Sequence, residues 1–236
     1  VAPHSKYSLS WISSTVVLLG MQHSSWPLAE LEVTTPVLLL CHVTDGLADE
    51  LAHLAAEGIH DPATMPFSVP WTDAVSPELE RNTVQYFQQT RAEVSTEHWD
   101  VPMAVVVGDK AVGVCVVTGD GFPARRMVST GSWLGRRYQG RGLGREMRTA
   151  ALQLIFAGFD ADLACTRAWH DNAASLGVTR SLPYVQTGSS RQSRRGVFDT
   201  MLEFTMTRVQ WETVRRGDIR LRGVDAVLDQ LGLRRT

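Results

Sequence analysis

The order of patterns along the chain predicts an α+β fold in which helices flank a mixed, mostly antiparallel central sheet. Two observations carry this. The coarse order reads strand, two helices, three strands, helix, strand, helix, two strands, which mixes hairpin and crossover pairing instead of repeating one strand-helix unit. A glycine-rich turn over residues 135–144 also leads one strand directly into a helix.

The compact apolar run at 37–42 suits a first strand, and Asp45 is placed to cap a helix over 46–56, with Leu47, Leu51 and Leu54 at helical spacing. Residues 60–71 hold three prolines, which forbid a continuous helix or central strand and demand a shaped loop. Ser76-Pro77-Glu78 opens a second helix running to about Thr96. Two β-branched runs, 102–107 and 111–118, joined by Gly108-Asp109-Lys110, predict a hairpin. A loop through Gly121 and Pro123 precedes a strand over 127–134, and after the glycine-rich turn a helix is expected over 145–159. A strand over 163–169, a short helix capped at Asp171-Asn172 and reaching Leu182, and strands over 184–187 and 197–207 complete the order.

The 236 residues, 44% hydrophobic and 20% charged, contain enough apolar material for one good-sized core. The net charge of -2 lacks the basic excess of nucleic-acid domains, so no nucleic-acid partner is expected. Cys41, Cys115 and Cys165 lie far apart in apolar stretches, without the spacing of a metal or redox pair. They read as buried thiols of a cytoplasmic protein, with no metal. No apolar run approaches the roughly 20 residues of a membrane-spanning helix, so no membrane partner is expected. Residues 1–20 read as an N-terminal extension outside the fold.

The turn Gln139-Gly140-Arg141-Gly142-Leu143-Gly144 would expose successive backbone N–H groups at the positive end of a helix dipole, an anion cradle that glycine lets a pyrophosphate approach. It lacks the Gly-Lys-Ser/Thr ending of the P-loop and the spacing of the dinucleotide fingerprint. A ligand-free glycine-rich helix start is the alternative.

These residues resemble the coenzyme A loop of the GNAT acyltransferases, and the element order resembles theirs over roughly residues 31–207. Trp133-Leu134-Gly135 before the loop, and Asn172, Ser175 and Val178 after it, are similar to the branch containing the RimJ/RimL-type ribosomal-protein N-terminal acetyltransferases. The resemblance implies a splayed strand pair holding the pantetheine of an acyl-coenzyme A cosubstrate, acetyl-coenzyme A or another, and acyl transfer to a primary amine on a protein N-terminus, a lysine or a small molecule. It implies that the N–H groups of Gln139, Gly140, Arg141, Gly142, Leu143 and Gly144 hold the pyrophosphate, and that the strand edge at Trp133, Leu134 and Gly135 pairs with the pantetheine, with a backbone N–H near Leu134 or Gly135 as oxyanion donor. Asn172 would bond the pantetheine arm, and Ser175 would lie near the sulfur as an acid for the thiolate. On their own, Asn172 also reads as a helix cap and Ser175 as part of its first turn.

Where that branch commonly carries Glu, this chain has Ser129, so the usual carboxylate base is missing. His60, Asp61, His170 and Asp171 are the replacements on offer, His60 and Asp171 foremost, although each also suits a turn or a cap. Ser129 and Ser132 remove bulk and charge from the expected thioester pocket, which admits a larger or anionic acyl group such as succinyl. Pro183 stands where the family usually has glycine. Phe67 and Trp71 of the proline-rich loop are the acceptor-site candidates, while Arg191, Arg194 and Arg195 read as a solvated loop. Residues 21–208 then form the acyltransferase domain, and 209–236 a C-terminal extension packed on it or at a homo-oligomer contact. A coenzyme A-binding regulatory module without catalysis, and a structural subunit associating through the tail, are the competing readings.

Overall fold

The computed structural model describes residues 25–235; the N-terminal extension over 1–20 lies outside the described residues. In chain order the elements are β1 (Glu32–Thr34), β2 (Leu39–His42), α1 (Asp45–Ala56), α2 (Glu78–Ala92), β3 (His98–Val107), β4 (Lys110–Asp120), α3 (Phe122–Arg125), β5 (Met127–Leu134), α4 (Leu143–Gln153), β6 (Leu163–Trp169), α5 (Ala173–Arg180), β7 (Val185–Arg194), β8 (Val197–Thr207), α6 (Arg208–Glu212), β9 (Arg220–Arg222) and α7 (Val224–Val227). The strands form one sheet in the order β7-β8-β6-β5-β4-β3-β2-β1-β9. Among the described residues only β5 and β6 pair in parallel; the other pairs are antiparallel.

The β5–β6 ladder stops at Thr130↔Thr166, although β5 continues to Leu134 and β6 stays paired with β8 up to Trp169↔Met201. The strands therefore part like a V. Two hydroxyls tie its crotch: Thr130 Oγ1 donates to Cys165 O (3.2 Å) and Thr166 Oγ1 to Thr130 O (3.3 Å).

Each face of the sheet is covered by the apolar stripe of its helices. Leu51 and Leu54 of α1 and Phe87 of α2 pack on Ala104, Ala111 and Val114. On the opposite face Met147, Ala150 and Ala151 of α4 pack on Cys115, Val117, Val128 and Leu134.

Several boundaries differ from the sequence expectation. Thr44, not Asp45, caps α1: its Oγ1 accepts from Leu47 N (3.3 Å), and Asp45 falls in the first turn, where a carboxylate suits the dipole. The loop at Gly121 and Pro123 contains the single-turn α3, and the last turn of the fourth helix widens into a π-turn over Leu154–Gly158. Strand β7 is much longer than 184–187. Its polarity reflects a sheet edge, not a loop, and the two-residue turn Arg195-Gly196, with φ 50° and 82°, closes it onto β8.

The tail completes the fold. Strand β9 pairs with β1 at the sheet edge. Trp211 is buried and stacks on Phe156 (5.2 Å), while Ile219, Val227, Leu231 and Leu233 join the same core. Trp99 Nε1 donates to Leu231 O (3.1 Å) and Arg126 Nη1 to Leu233 O (2.8 Å), tying the tail to the sheet side. No helix among the described residues is long and apolar enough to cross a membrane.

Candidate functional site

The parting of β5 from β6 opens a cleft of about 1510 Å³, larger than the ~300–1,000 Å³ of a typical small-molecule pocket. It runs from the glycine-rich turn, past the V, to the proline-rich loop. Of the residues the sequence singled out, His60, Asp61, Phe67, Ser129, Ser132, Trp133, Leu134, Gln139, Gly140, Gly142, Gly144, Asp171, Asn172, Ser175, Val178 and Arg194 line it; Trp71, Gly135, Arg141, Leu143 and His170 do not.

The shape of the glycine-rich turn is set by backbone conformation. Gly140 (φ 71°) and Gly142 (φ 80°) are left-handed, a region costly to residues with a Cβ, and nothing lies within 4 Å of where either Cβ would stand. The turn is thus open on the side a ligand approaches. Gly142 O accepts from Arg145 N and Glu146 N (3.1 Å each), so the N–H groups of Leu143 and Gly144 precede the first intrahelical bonds. The Leu143 side chain is buried in the core, whereas Arg141 is exposed. Gln139 departs from the expectation: its N–H bonds Arg136 O (3.3 Å), and its Nε2 donates to Ile59 O (2.6 Å) and Leu134 O (2.8 Å). It straps the turn to the end of β5 and to the segment after α1, so its N–H is not part of the cradle.

The strand edge also needs correcting. Gly135 N donates to Val112 O (3.0 Å), and with the register Val114↔Trp133 and Gly113↔Leu134 this directs the amides of Trp133 and Gly135 toward β4. Leu134 has the opposite phase, and its N–H faces the V. Of the three residues, Leu134 alone offers an N–H to a ligand.

Asn172 caps α5, its Oδ1 accepting from Ser175 N (3.0 Å), so the capping reading holds geometrically while both residues still border the cleft.

Across the sheet, on the α1–α2 side, Phe67, Trp71 and Trp133 form a chain of rings, with centroids 5.2 and 6.0 Å apart, and His60 meets Phe67 edge-on at 5.7 Å. His60 is fully engaged. Its Nδ1 bonds Asp61 O (2.8 Å), which can only accept, and its Nε2 bonds Thr72 Oγ1 (2.7 Å), leaving no ring nitrogen for an amine. Asp171 is tied as well: Arg194 Nη1 donates to both its oxygens (2.8 and 2.9 Å) and to Asp199 Oδ2 (2.8 Å). Both base candidates therefore act as braces. The Thr200 backbone N–H and the Arg194 guanidinium hold the Asp199 carboxyl below its usual range. His170, Asp171 and Asp199 gather near one another, but the guanidinium fills the space between the two carboxylates. Arg194 Nε also donates to Met65 O (2.8 Å), and Arg195 pairs with Asp73, so these arginines clamp the proline-rich loop instead of lying in solvent.

Ser129 and Ser132 do not share one pocket wall. They are three apart on an unbulged strand and face opposite sides of the sheet, Ser129 with Trp133 and Ser132 with Leu134. Cys165 pairs in register with Ser129 and lines the cleft, but burial raises its thiol pKa; burial likewise pushes Cys115 up to about 11.

Two cleft residues lie outside the sequence expectation. Glu203 on β8 is in register with Arg167, two residues past Cys165, on the same face as Ser129, and its Oε1 accepts from Ser190 Oγ (2.9 Å). Arg148 on α4 lines the cleft while only 4% exposed. The charge at helix position 148 was the available signal; Glu203 gave none, because its approach depends on β8 lying beside β6.

Residues 38–184 match the family described as the acetyltransferase (GNAT) domain. Among solved structures, the RimL ribosomal L7/L12 alpha-N-protein acetyltransferase is similar with a TM-score of 0.62 at 15% identity, over 75% of this chain and 94% of that one. The microcin C7 self-immunity acetyltransferase MccE, solved with acetyl-coenzyme A and AMP, gives 0.60 at 16%, over 73% and 93%. A GNAT-family acetyltransferase from Bacillus anthracis gives 0.59 at 12%, over 75% and 98%. At these identities the likeness is one of fold.

Proposed function

Since this chain belongs to the GNAT acetyltransferases, whose domain spans more than half of it, we propose that it binds an acyl-coenzyme A in the β5–β6 cleft and transfers the acyl group to a primary amine by direct attack. The observation that carries this reading is the open V: a ladder that ends at Thr130↔Thr166 while β5 runs on, with the Leu134 N–H turned into the gap and the left-handed Gly140 and Gly142 at its outer end. In this reading the N–H groups from Gly140 to Gly144 hold the pyrophosphate, and Ser132 to Leu134 line the pantetheine, with Asn172 along the arm.

The amine nitrogen forms the new C–N bond, the C–S bond breaks, and the thiolate leaves beside the Ser175 hydroxyl, which donates a hydrogen bond to it. The Leu134 N–H is the donor for the developing oxyanion. Glu203 takes up the amine's proton through water, the role that neither Ser129 nor the engaged His60 and Asp171 can fill; its support is its position on the acceptor face of the cleft. A free α-amine, with a pKa near 7.7–8.0, needs little of this help and a lysine, near 10.4, needs more. The rings of Phe67 and Trp133, which line the cleft with Trp71 packed between them, are the surface against which the acceptor is positioned.

Acetyl is the family's acyl group, and a larger one such as succinyl is the second reading, favoured by the small Ser132 side chain on the α4 side of the V. Thiol release from acetyl- and succinyl-coenzyme A in the presence of a peptide N-terminus, a lysine side chain and small amines tests the proposal. Coenzyme A binding without thiol release for any amine would instead support a binding module.

A further inference from the structure

Arg148 lies on the second turn of α4, is 4% exposed, and lines the cleft, yet its Nε and Nη1 make no hydrogen bond and no carboxylate among the described residues pairs with it. Burying an unpaired charge costs several kcal/mol. A buried arginine with a structural role in this protein has a carboxylate and satisfied Nη atoms: Arg126, 7% exposed, leaves its Nε without a partner but donates through Nη1 to Leu233 O and through Nη2 to Asp160 O (2.6 Å), and it pairs with Asp160 Oδ2. Arg148 has no such arrangement.

Its position says which anion would complete it. The neighbours of its guanidinium are the Cys115 thiol of β4 and the Tyr184 hydroxyl, with Thr130 beside the latter. Thr130 is the last β5 residue of the ladder, so Arg148 stands at the crotch of the V, on the α4 side of the sheet that Ser132 also faces. The anion cradle at the start of α4 is five residues earlier, about 7.5 Å along the helix axis at 1.5 Å per residue. A pyrophosphate held there sits over the outer end of the V; Arg148 sits at its inner end, where the acyl chain of a bound thioester points. An acetyl group ends in a methyl and would leave the guanidinium Nε and Nη1 without a partner.

We infer that Arg148 receives a carboxylate at the far end of the acyl chain, and that the donor is a dicarboxylic acyl-coenzyme A of the malonyl, succinyl or glutaryl class. This rests on the reading of the cleft as a coenzyme A site. The Tyr184 hydroxyl, buried beside the guanidinium, is positioned to donate to the same carboxylate.

Calorimetric titration with coenzyme A, butyryl-coenzyme A and succinyl-coenzyme A needs no acceptor and separates the two ideas. The wild-type protein is expected to bind the succinyl thioester about 50-fold more tightly than the butyryl one, the range of a buried hydrogen bond to a charged group. Arg148→Met abolishes that preference and leaves the affinity for coenzyme A unchanged, with a thermal midpoint no lower than wild type, since no carboxylate among the described residues pairs with the charge it removes. Arg148→Lys keeps part of the preference. Equal wild-type binding of the succinyl and butyryl thioesters, or a preference that survives Arg148→Met, overturns the assignment while leaving the coenzyme A site standing. Failure of coenzyme A itself to bind overturns both. If Arg148→Met does not fold, the wild-type comparison and Arg148→Lys still decide.

Discussion

Gly46 and Gly142 have equally empty surroundings, with no heavy atom within 4 Å of where a Cβ would stand at either, but only Gly142 is left-handed, at φ 80°. A methyl added to each therefore isolates backbone conformation from packing. At Gly46, inside α1, alanine reduces the freedom of the unfolded chain and stabilises by about 0.5 kcal/mol. At Gly142 it destabilises by about 1 kcal/mol, because an L-residue is strained there. For a domain of this size 1 kcal/mol moves the thermal midpoint by about 2–4 °C, so G142A is expected to melt a few degrees lower and G46A slightly higher. Relaxing the strain at 142 rotates the N–H groups at the start of α4 away from the cradle. Losing one charge-assisted bond there is worth about tenfold in coenzyme A affinity, and G46A should bind normally. Scanning calorimetry with and without coenzyme A reads both quantities. If both variants melt higher, the conformational argument is wrong; if G142A melts lower yet binds coenzyme A as wild type does, the turn is not the cradle.

The remaining predictions concern the base, the tail and acid stability. Glu203→Gln should lower kcat by about 100-fold with coenzyme A affinity unchanged, and the loss should shrink as the acceptor amine's pKa falls; a loss independent of the amine would argue against a base. Trp211→Ala, which empties a fully buried site against Phe156, should cost about 3–5 kcal/mol in denaturant unfolding, and truncation after Arg208 should leave no cooperative transition, an outcome refuted by a truncated chain that melts like the full one. The Arg235 guanidinium, with Arg208 and Arg126, holds the Asp160 carboxyl below its usual range. The unfolded chain therefore takes up this proton first, near pH 4, and the pair's contribution, full above that pH, is lost as pH falls through the lower native value. Thermal midpoints between pH 6 and pH 3 should fall less steeply for Asp160→Asn than for wild type.

Much of the fold is legible because the signals are local. Residues 127–134, set between the loop at Gly121 and Pro123 and the glycine-rich turn, and residues 163–169 read as strands whatever they pair with, and both strands have those limits. Strands β1 and β9 leave no such mark, because they are three residues long and pair with each other at the sheet edge across most of the chain. Strand β7 reads short because an edge strand carries the polar sequence of a loop. His60 and Asp171 look like bases for want of one fact each: Thr72 lies twelve residues from His60, and Arg194 twenty-three from Asp171.

By itself the sequence determined the glycine-rich helix start and the family, because the glycines before the helix, and the elements on either side of them, are written in consecutive residues. Tertiary structure alone decided which amide of 133–135 faces the cleft, that Ser129 and Ser132 face opposite sides of the sheet, that the tail completes the core, and that Arg148 is buried without a carboxylate partner among the described residues. Each of these depends on register or on burial between segments remote in sequence, and neither quantity is a property of any one of those segments.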